Sequence, residues 1–251
     1  MPHRFSRTAM LIGTDGLSTL KNSKIVVFGL GGVGSFVVEG LARAGLGELY
    51  LVDYDRVDLT NINRQIHALT GTVGRSKAEL MAERVLQINP EAKVHASLER
   101  YVPGAGVRLV PPGVDYVVDA IDDVAAKVDL LIHSLELGKR VISAMGAGNK
   151  VHPEKLQITD ISRTSVCPLA RVVRQKLRQR GIRRGLKVIY STEAPIKPYG
   201  EATEDGEVSS GRPKPSPPGS ISFVPSVAGL MMAGEVVRDL LAAAQVLPEE
   251  R

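Results

Sequence analysis

The stretch "KIVVFGLGGVGSFVVEGLARAGLGELYLVDYD", residues 24–55, decides how the chain is read. A short apolar run leads into a glycine-rich turn, and apolar residues then recur at helical spacing through Val37, Val38, Leu41 and Ala42. A second apolar run, 49–52, ends on Asp53. Two apolar runs separated by a glycine turn and a helical pattern make a βαβ unit. Gly29, Gly31 and Gly34 fit G-x-G-x-x-G, with Gly32 inside the same turn. The first glycine permits the tight turn, the second lets a phosphate approach the backbone, and the third lets helix and strand pack closely. The helix N-terminus then offers free N–H groups to phosphates. Asp53 is placed to accept hydrogen bonds from ribose hydroxyls. The pattern marks a nucleotide site without saying which nucleotide.

Moving outward, residues 24–150 alternate short apolar runs with helical patterns, which predicts a mainly parallel sheet covered on both faces. The expected class is α/β, a Rossmann-like doubly wound fold. The spacing of Leu80, Met81, Val85 and Ile88 predicts a helix over 76–88, broken at Pro90, with a strand following in "NPEAKVHAS". "GVDYVVDAID" and "KRVISAMGAG" read as two further buried strands. "VCPLARVVRQKLRQRGIRRGLKVIY" reads as a basic helical stretch with Leu169, Val172, Val173 and Leu177 on one face. "KPYGEATEDGEVSSGRPKPSPPGS" has the composition of a mobile, exposed loop. "ISFVPSVAGLMMAGEVVRDLLAAAQ" predicts a closing helix that packs back on the sheet, with Pro225 in its first turn. The expected organisation is one domain over 1–251: an N-terminal helical arm (1–23), a nucleotide-binding core (24–160), a basic helix and loop (161–219) and a closing helix (220–251).

Composition sets outer limits. At 251 residues, 43% hydrophobic and 24% charged, the chain suits a soluble globular protein. No apolar run is long enough to span a bilayer, so no membrane partner is expected, and "MPHRFSRTAM" lacks the apolar core of a secretory signal. One cysteine, Cys167, excludes an internal disulfide and agrees with a reducing compartment, with the cytoplasm as default. A formal net charge of +5 is compatible with a polyanionic partner without requiring one.

The residues beyond the βαβ unit discriminate between nucleotides. Asn61, Arg64, Gln65 and Lys77 follow the ribose acid closely. Hydride transfer gains little from two cations beside the phosphates. Attack on the α-phosphorus of ATP needs them, because charge develops on phosphate oxygens and pyrophosphate leaves as an anion. Asp122 follows the "YVVDAID" strand at the sheet edge where such folds bind ligands, and a carboxylate there can hold Mg²⁺ against a triphosphate. The plainer readings are a surface ion pair for Lys77 and a helix N-cap for Asp122.

The pieces "GLGGVG", "D-x-D-x-V-x-x-x-N-x-x-R-Q", the lysine after them and "DAID" resemble the adenylating enzymes of the ubiquitin-activating superfamily, over nearly the whole chain. Within it, "NINRQIHAL" and "YSTEAPIKP" look like the tRNA threonylcarbamoyladenosine dehydratases. The resemblance implies ATP and Mg²⁺, a homodimer, and these roles: Asp53 on ribose, Asn61, Arg64 and Lys77 on phosphates, Asp122 on metal and phosphate; Asp55 and Gln65 count with them as nucleotide-binding. Arg7, the second arginine of "RFSR", looks like the residue that reaches the partner subunit's ATP. It counts with Arg64, Lys77 and Asp122 as catalytic.

Related sulfur-carrier activators usually hold a structural zinc on two C-x-x-C pairs. Here "CPLA" keeps Cys167 but has Ala170 in the second place, so no four-cysteine zinc site is expected. "SPPGSISFVPSVAG" likewise offers no cysteine for thioester transfer, and Cys167 reads as a small half-buried residue. That favours a substrate activated by adenylation alone. The dehydratase resemblance supplies one, the threonyl carboxylate of N6-threonylcarbamoyladenosine in tRNA, which ring closure within the same side chain would then dehydrate. Arg171, Arg174, Lys176, Arg178, Arg183 and Arg184, with Arg180 and Lys187, are the candidate tRNA contacts. His67 and Glu193 are weaker candidates near the substrate. Three alternatives stay open: an adenylyltransferase for the C-terminal Gly-Gly of a sulfur-carrier protein, a non-catalytic nucleotide-binding scaffold, and a dehydrogenase. A docking sulfur-transfer protein is a further candidate partner.

Overall fold

In the computed structural model, which describes residues 3–197, 199 and 218–246, the chain forms a seven-stranded sheet flanked by helices. Helix α1 (Ser6–Asn22) precedes strand β1 (Lys24–Phe28), α2 (Gly34–Ala44) and β2 (Glu48–Val52). There follow α3 (Lys77–Ile88), β3 (Lys93–Ser97), α4 (Gly106–Leu109), β4 (Tyr116–Asp119), α5 (Val124–Glu136) and β5 (Arg140–Ala144). The chain continues through β6 (Leu156–Asp160), α6 (Pro168–Gln179), β7 (Lys187–Ser191) and α7 (Phe223–Ala243). Strand order is β3-β2-β1-β4-β5-β7-β6, parallel throughout except for the antiparallel β6–β7 pair at one edge.

Alternation along the strands builds two cores. Ile25 and Val27 of β1 face one side, where they meet Val38 and Leu41 of α2, Met81 and Val85 of α3, and Met232 and Val236 of α7. Val26 and Phe28 face the other, packed with Leu130 and Leu131 of α5 and Val173 and Leu177 of α6. Each such side chain, fully buried, contributes roughly 1.5–3 kcal/mol relative to exposure. The doubly wound fold read from the sequence is therefore present. At β1 the order reverses, with β2 on one side and β4 on the other, and that switch opens a crevice beyond the carboxyl ends of the three strands.

Ser76 caps α3 by accepting a hydrogen bond from the Glu79 N–H, and Pro225 falls in the first turn of α7. The basic stretch departs from expectation. Only Pro168–Gln179 is helical; Gly181 and Gly185, at φ 80° and 95°, turn the chain, and "KVIYS" becomes β7. The apolar face of α6 is Ala170, Val173 and Leu177, while Val172 is exposed. Most of the loop expected to be mobile, 200–217, lies outside the described residues, as does the end of the closing segment beyond 246. Among the described residues, no helix is long and apolar enough to cross a membrane.

Candidate nucleotide-activating site

The crevice is a cleft of about 380 Å³ lined by the glycine turn, the ends of β2 and β4, and the 61–65 segment. Gly29 has φ +84°, and a Cβ there would lie 2.6 Å from the Ala120 carbonyl oxygen. A Cβ on Gly34 would overlap the Gly29 carbonyl, so turn and helix meet at backbone distance. Gly31 differs. A Cβ there would meet only the Gln65 amide nitrogen, at 3.9 Å, so its backbone faces open cleft. That is the surface a phosphate needs. Gly32 instead packs against Pro225 and Arg64. We expect Gly34→Ala to abolish nucleotide binding and lower the melting temperature by several degrees, since the clash is with backbone; calorimetry and thermal melting would show both effects.

Asp53 is buried and accepts hydrogen bonds from the Leu30 N–H (2.6 Å) and the Asp55 N–H (2.8 Å). Burial raises its pKa, opposed by those two bonds and by Lys77. The carboxylate thus splints the glycine turn and keeps further lone pairs for a ribose. The buried Lys77 Nζ donates to Asp55 Oδ2 at 2.8 Å, and the Lys77 N–H to the Asp55 carbonyl at 3.1 Å. Asp55 therefore aims the lysine. Asn61 accepts from the Asp58 N–H, leaving its amide N–H₂ for a ligand, and Arg64 donates to the Thr60 carbonyl and the Asn63 amide oxygen. The Gln65 amide oxygen is buried without a partner among the described residues.

Asp122 is exposed in the cleft and, among the described residues, takes no hydrogen bond or ion pair. The capping role allowed for it belongs to Asp123, which accepts from the Ala126 N–H at 2.8 Å. Behind it lies a group not read from the sequence. Lys127, fully buried, donates to Asp119 Oδ2 at 2.6 Å and to the Ala144 carbonyl, and Ser143 donates to the same carboxylate. Asp119 also accepts from the Ile121 N–H, fixing the turn that carries Asp122. The eight-residue step from strand-end acid to buried lysine was the available signal. Among the described residues, no group of three or more His, Cys, Asp or Glu is placed to hold a metal by itself. Arg7 is exposed on α1 and does not line its own chain's cleft.

Glu193, Cys167 and His67 are buried and do not line the cleft. Glu193 is buried and accepts from the N–H groups of Val151 and His152; burial raises its pKa, but those bonds outweigh it and the net shift is downward. It staples a loop. Cys167 is buried at the N-cap of α6, more deeply than expected. His67 is buried with neither ring nitrogen partnered among the described residues, and burial, with Lys77 and Arg84 nearby, lowers its pKa to about 4. The unfolded chain then binds the extra proton between about pH 6.5 and pH 4, so this contribution to stability is full above the upper value and lost as pH falls. Denaturant titration at about pH 5 should find a loss of about 2 kcal/mol relative to pH 7.5, absent in His67→Asn.

A family model described as the ThiF family matches residues 5–250. The tRNA threonylcarbamoyladenosine dehydratase of Bacillus subtilis is 48% identical over 243 residues, 96% of each chain. The chain belongs to the ThiF family, among the tRNA threonylcarbamoyladenosine dehydratases. Two crystal structures of the Escherichia coli dehydratase, each 34% identical, superpose closely on this ThiF-family chain. The ATP complex has TM-score 0.85 and covers 96% of this chain and 95% of that one; the AMP complex has TM-score 0.86 and covers 97% and 96%.

The basic residues of this ThiF-family chain are divided by the structure. Arg171, Lys176, Arg178, Arg180, Arg183 and Arg184 are exposed, and Arg171 and Arg178 line one groove on α6. Arg174, although it borders that groove, is engaged internally: it donates to the Thr164 hydroxyl and carbonyl and holds α6 on the preceding turn. Lys187 lies in β7, bound to Glu235 and Asp239 of α7 at 2.6 Å each. Neither of these two is free for a phosphate.

Proposed function

We propose that this protein dehydrates N6-threonylcarbamoyladenosine in tRNA to its cyclic form, using ATP to activate the threonyl carboxylate. The observation that carries the reading is the cleft: an open backbone at Gly31, beside a buried lysine aimed by Asp55 and a carboxylate at Asp122 that has no partner among the described residues. Carboxylate oxygen is a poor leaving group. Attack by that oxygen on the α-phosphorus of ATP releases pyrophosphate and gives an acyl-adenylate, from which ring closure expels AMP. Lys77, Arg64 and Asn61 stabilise the charge that develops on the phosphate oxygens. Because ring closure is intramolecular, orientation supplies much of its rate and no covalent enzyme intermediate is required. Asp122 would hold Mg²⁺, which neutralises phosphate charge when bound. Arg7 acts in a homodimer by reaching the partner subunit's nucleotide. Cytoplasmic residence goes with this reading.

Mass spectrometry of nucleosides from tRNA bearing the threonylcarbamoyl mark, incubated with the protein and ATP, tests the function. The expected result is conversion to the cyclic nucleoside with one AMP formed per ring. Linear nucleoside throughout, with AMP attached to a sulfur-carrier protein instead, would overturn it. The exposed arginines bind the tRNA. The pair Arg171→Glu and Arg178→Glu should weaken tRNA affinity on the order of tenfold and flatten its salt dependence, with ATP affinity unchanged. Filter binding across a salt series checks this.

A further inference from the structure

Among the described residues, one ion pair lies wholly out of water, and it sits under the cleft. Lys127, near the start of α5, and Asp119, at the end of β4, are both fully buried, 2.6 Å apart. Such a pair is a poor source of stability, because desolvating two ions offsets their attraction and apolar side chains of the same size pack as well. Its connections point to another use. Lys127 Nζ has three N–H donors and places all of them, on Asp119 Oδ2, on the Ser143 hydroxyl at 3.3 Å and on the Ala144 carbonyl at 2.9 Å. Asp119 Oδ2 also accepts from the Ser143 hydroxyl at 2.5 Å, and Asp119 Oδ1 accepts from the Ile121 N–H at 3.0 Å. One ammonium thus ties the two turns that leave the neighbouring strands β4 and β5 at their carboxyl ends. The first turn, 120–123, carries Asp122 and packs on the glycine turn, where Ala120 leaves no room for a Cβ on Gly29. The second, 145–149, puts Ala147 and Gly148 in the cleft wall, and Asn149 exchanges two hydrogen bonds of 2.7 Å with the Gly219 backbone, which lines the same wall.

Resting on the reading of the cleft as the place of adenylation, we infer that Lys127 is a positioning residue for that step, holding the Asp122 turn in register with the 145–149 turn. Between those two walls the α-phosphorus is attacked. Displacing a reacting group by about 1 Å costs on the order of a hundredfold in rate, so a fixed spacing between the walls matters more than the strength of either. Neither Lys127 nor Asp119 lines the cleft, so both act through the turns and touch no nucleotide. A methionine in place of the lysine fills the same space without tying anything.

Removing one partner alone strands the charge of the other, so the test uses the neutral pair Lys127→Met with Asp119→Asn in the full chain. The amide oxygen introduced at 119 still accepts from the Ile121 N–H, whereas the tie to the Ala144 carbonyl is gone. This double variant should melt within a few degrees of the wild type and bind AMP within about twofold by calorimetry, yet cyclise about 10²-fold more slowly in single turnover. Hydrogen exchange of the ligand-free protein should lose protection at the amides of 120–123 and 145–149 and nowhere else. Adding Asp122→Asn to the pair should slow cyclisation by about threefold at most, because the changes remove one shared alignment. A folded double variant that cyclises at the wild-type rate would overturn the inference, and so would one that unfolds, since the pair would then serve the fold alone. Fully multiplicative losses on adding Asp122→Asn would overturn it too, by separating Lys127 from the Asp122 turn. A wild-type protein that leaves the tRNA nucleoside linear removes the proposed function instead, while the exchange data still decide whether Lys127 ties the two turns.

Discussion

Lys77→Ala should lower kcat for nucleoside cyclisation by roughly 10²–10³-fold, the loss expected when one donor aimed at developing charge is removed. The fold should survive. The partner left behind, Asp55, has a side chain 44% exposed, so water replaces the ammonium and no buried charge is stranded. The link between α3 and the 53–55 segment also persists, because the Lys77 backbone N–H still donates to the Asp55 carbonyl. Single-turnover cyclisation assays, with thermal melting as the control, check both halves. Normal turnover in a folded variant would remove Lys77 from the chemistry. Asp55→Ala should cost less in kcat, about tenfold, since the lysine is kept, but it leaves the buried ammonium without this carboxylate, so the melting temperature should fall as well.

The second large effect is expected at Asp122. Asp122→Asn keeps the shape and deletes the charge, and cyclisation should fall about 10²-fold, with the loss in kcat more than in affinity for AMP. Stability should not change, because Asp122 is exposed, has no partner among the described residues, and Asp123 does the capping of α5. Substituting Asp119 is a different experiment. That carboxylate holds a fully buried lysine, and removing it strands the charge, at about 3–5 kcal/mol. Unfolding in Asp119→Ala with an intact but slow Asp122→Asn would separate the support from the group it supports. An Asp122→Asn protein as active as the wild type would refute the role assigned to this carboxylate.

Much of this was legible before any coordinates. Period-2 and period-3.6 patterns are local, so the glycine turn, the first strands, α2, α3 and α7 could be placed from residues 24–97 and 221–245 alone. That Asn61, Arg64, Gln65 and Lys77 gather in one cleft was also legible, because they lie within one crossover. What could not be read depends on partners distant in sequence. Arg174 and Lys187 look the same as their basic neighbours, and only Thr164, Glu235 and Asp239 show that both are structural. β7 was absorbed into a helical reading because the two glycines that end α6 sit in a run of arginines whose helix propensity masks them. Lys127 was missed for the same reason: its role comes from Asp119 and the Ala144 carbonyl packed around it, not from spacing alone.

The most direct measurement follows oxygen. With the threonyl carboxylate of the tRNA labelled with heavy oxygen, cyclisation by this protein should deliver one labelled atom to AMP and none to pyrophosphate. That is the signature of carboxylate attack on the α-phosphorus followed by ring closure. Label appearing in inorganic phosphate or in bulk water, with AMP unlabelled, would contradict adenylation and with it the roles given to Lys77 and Asp122.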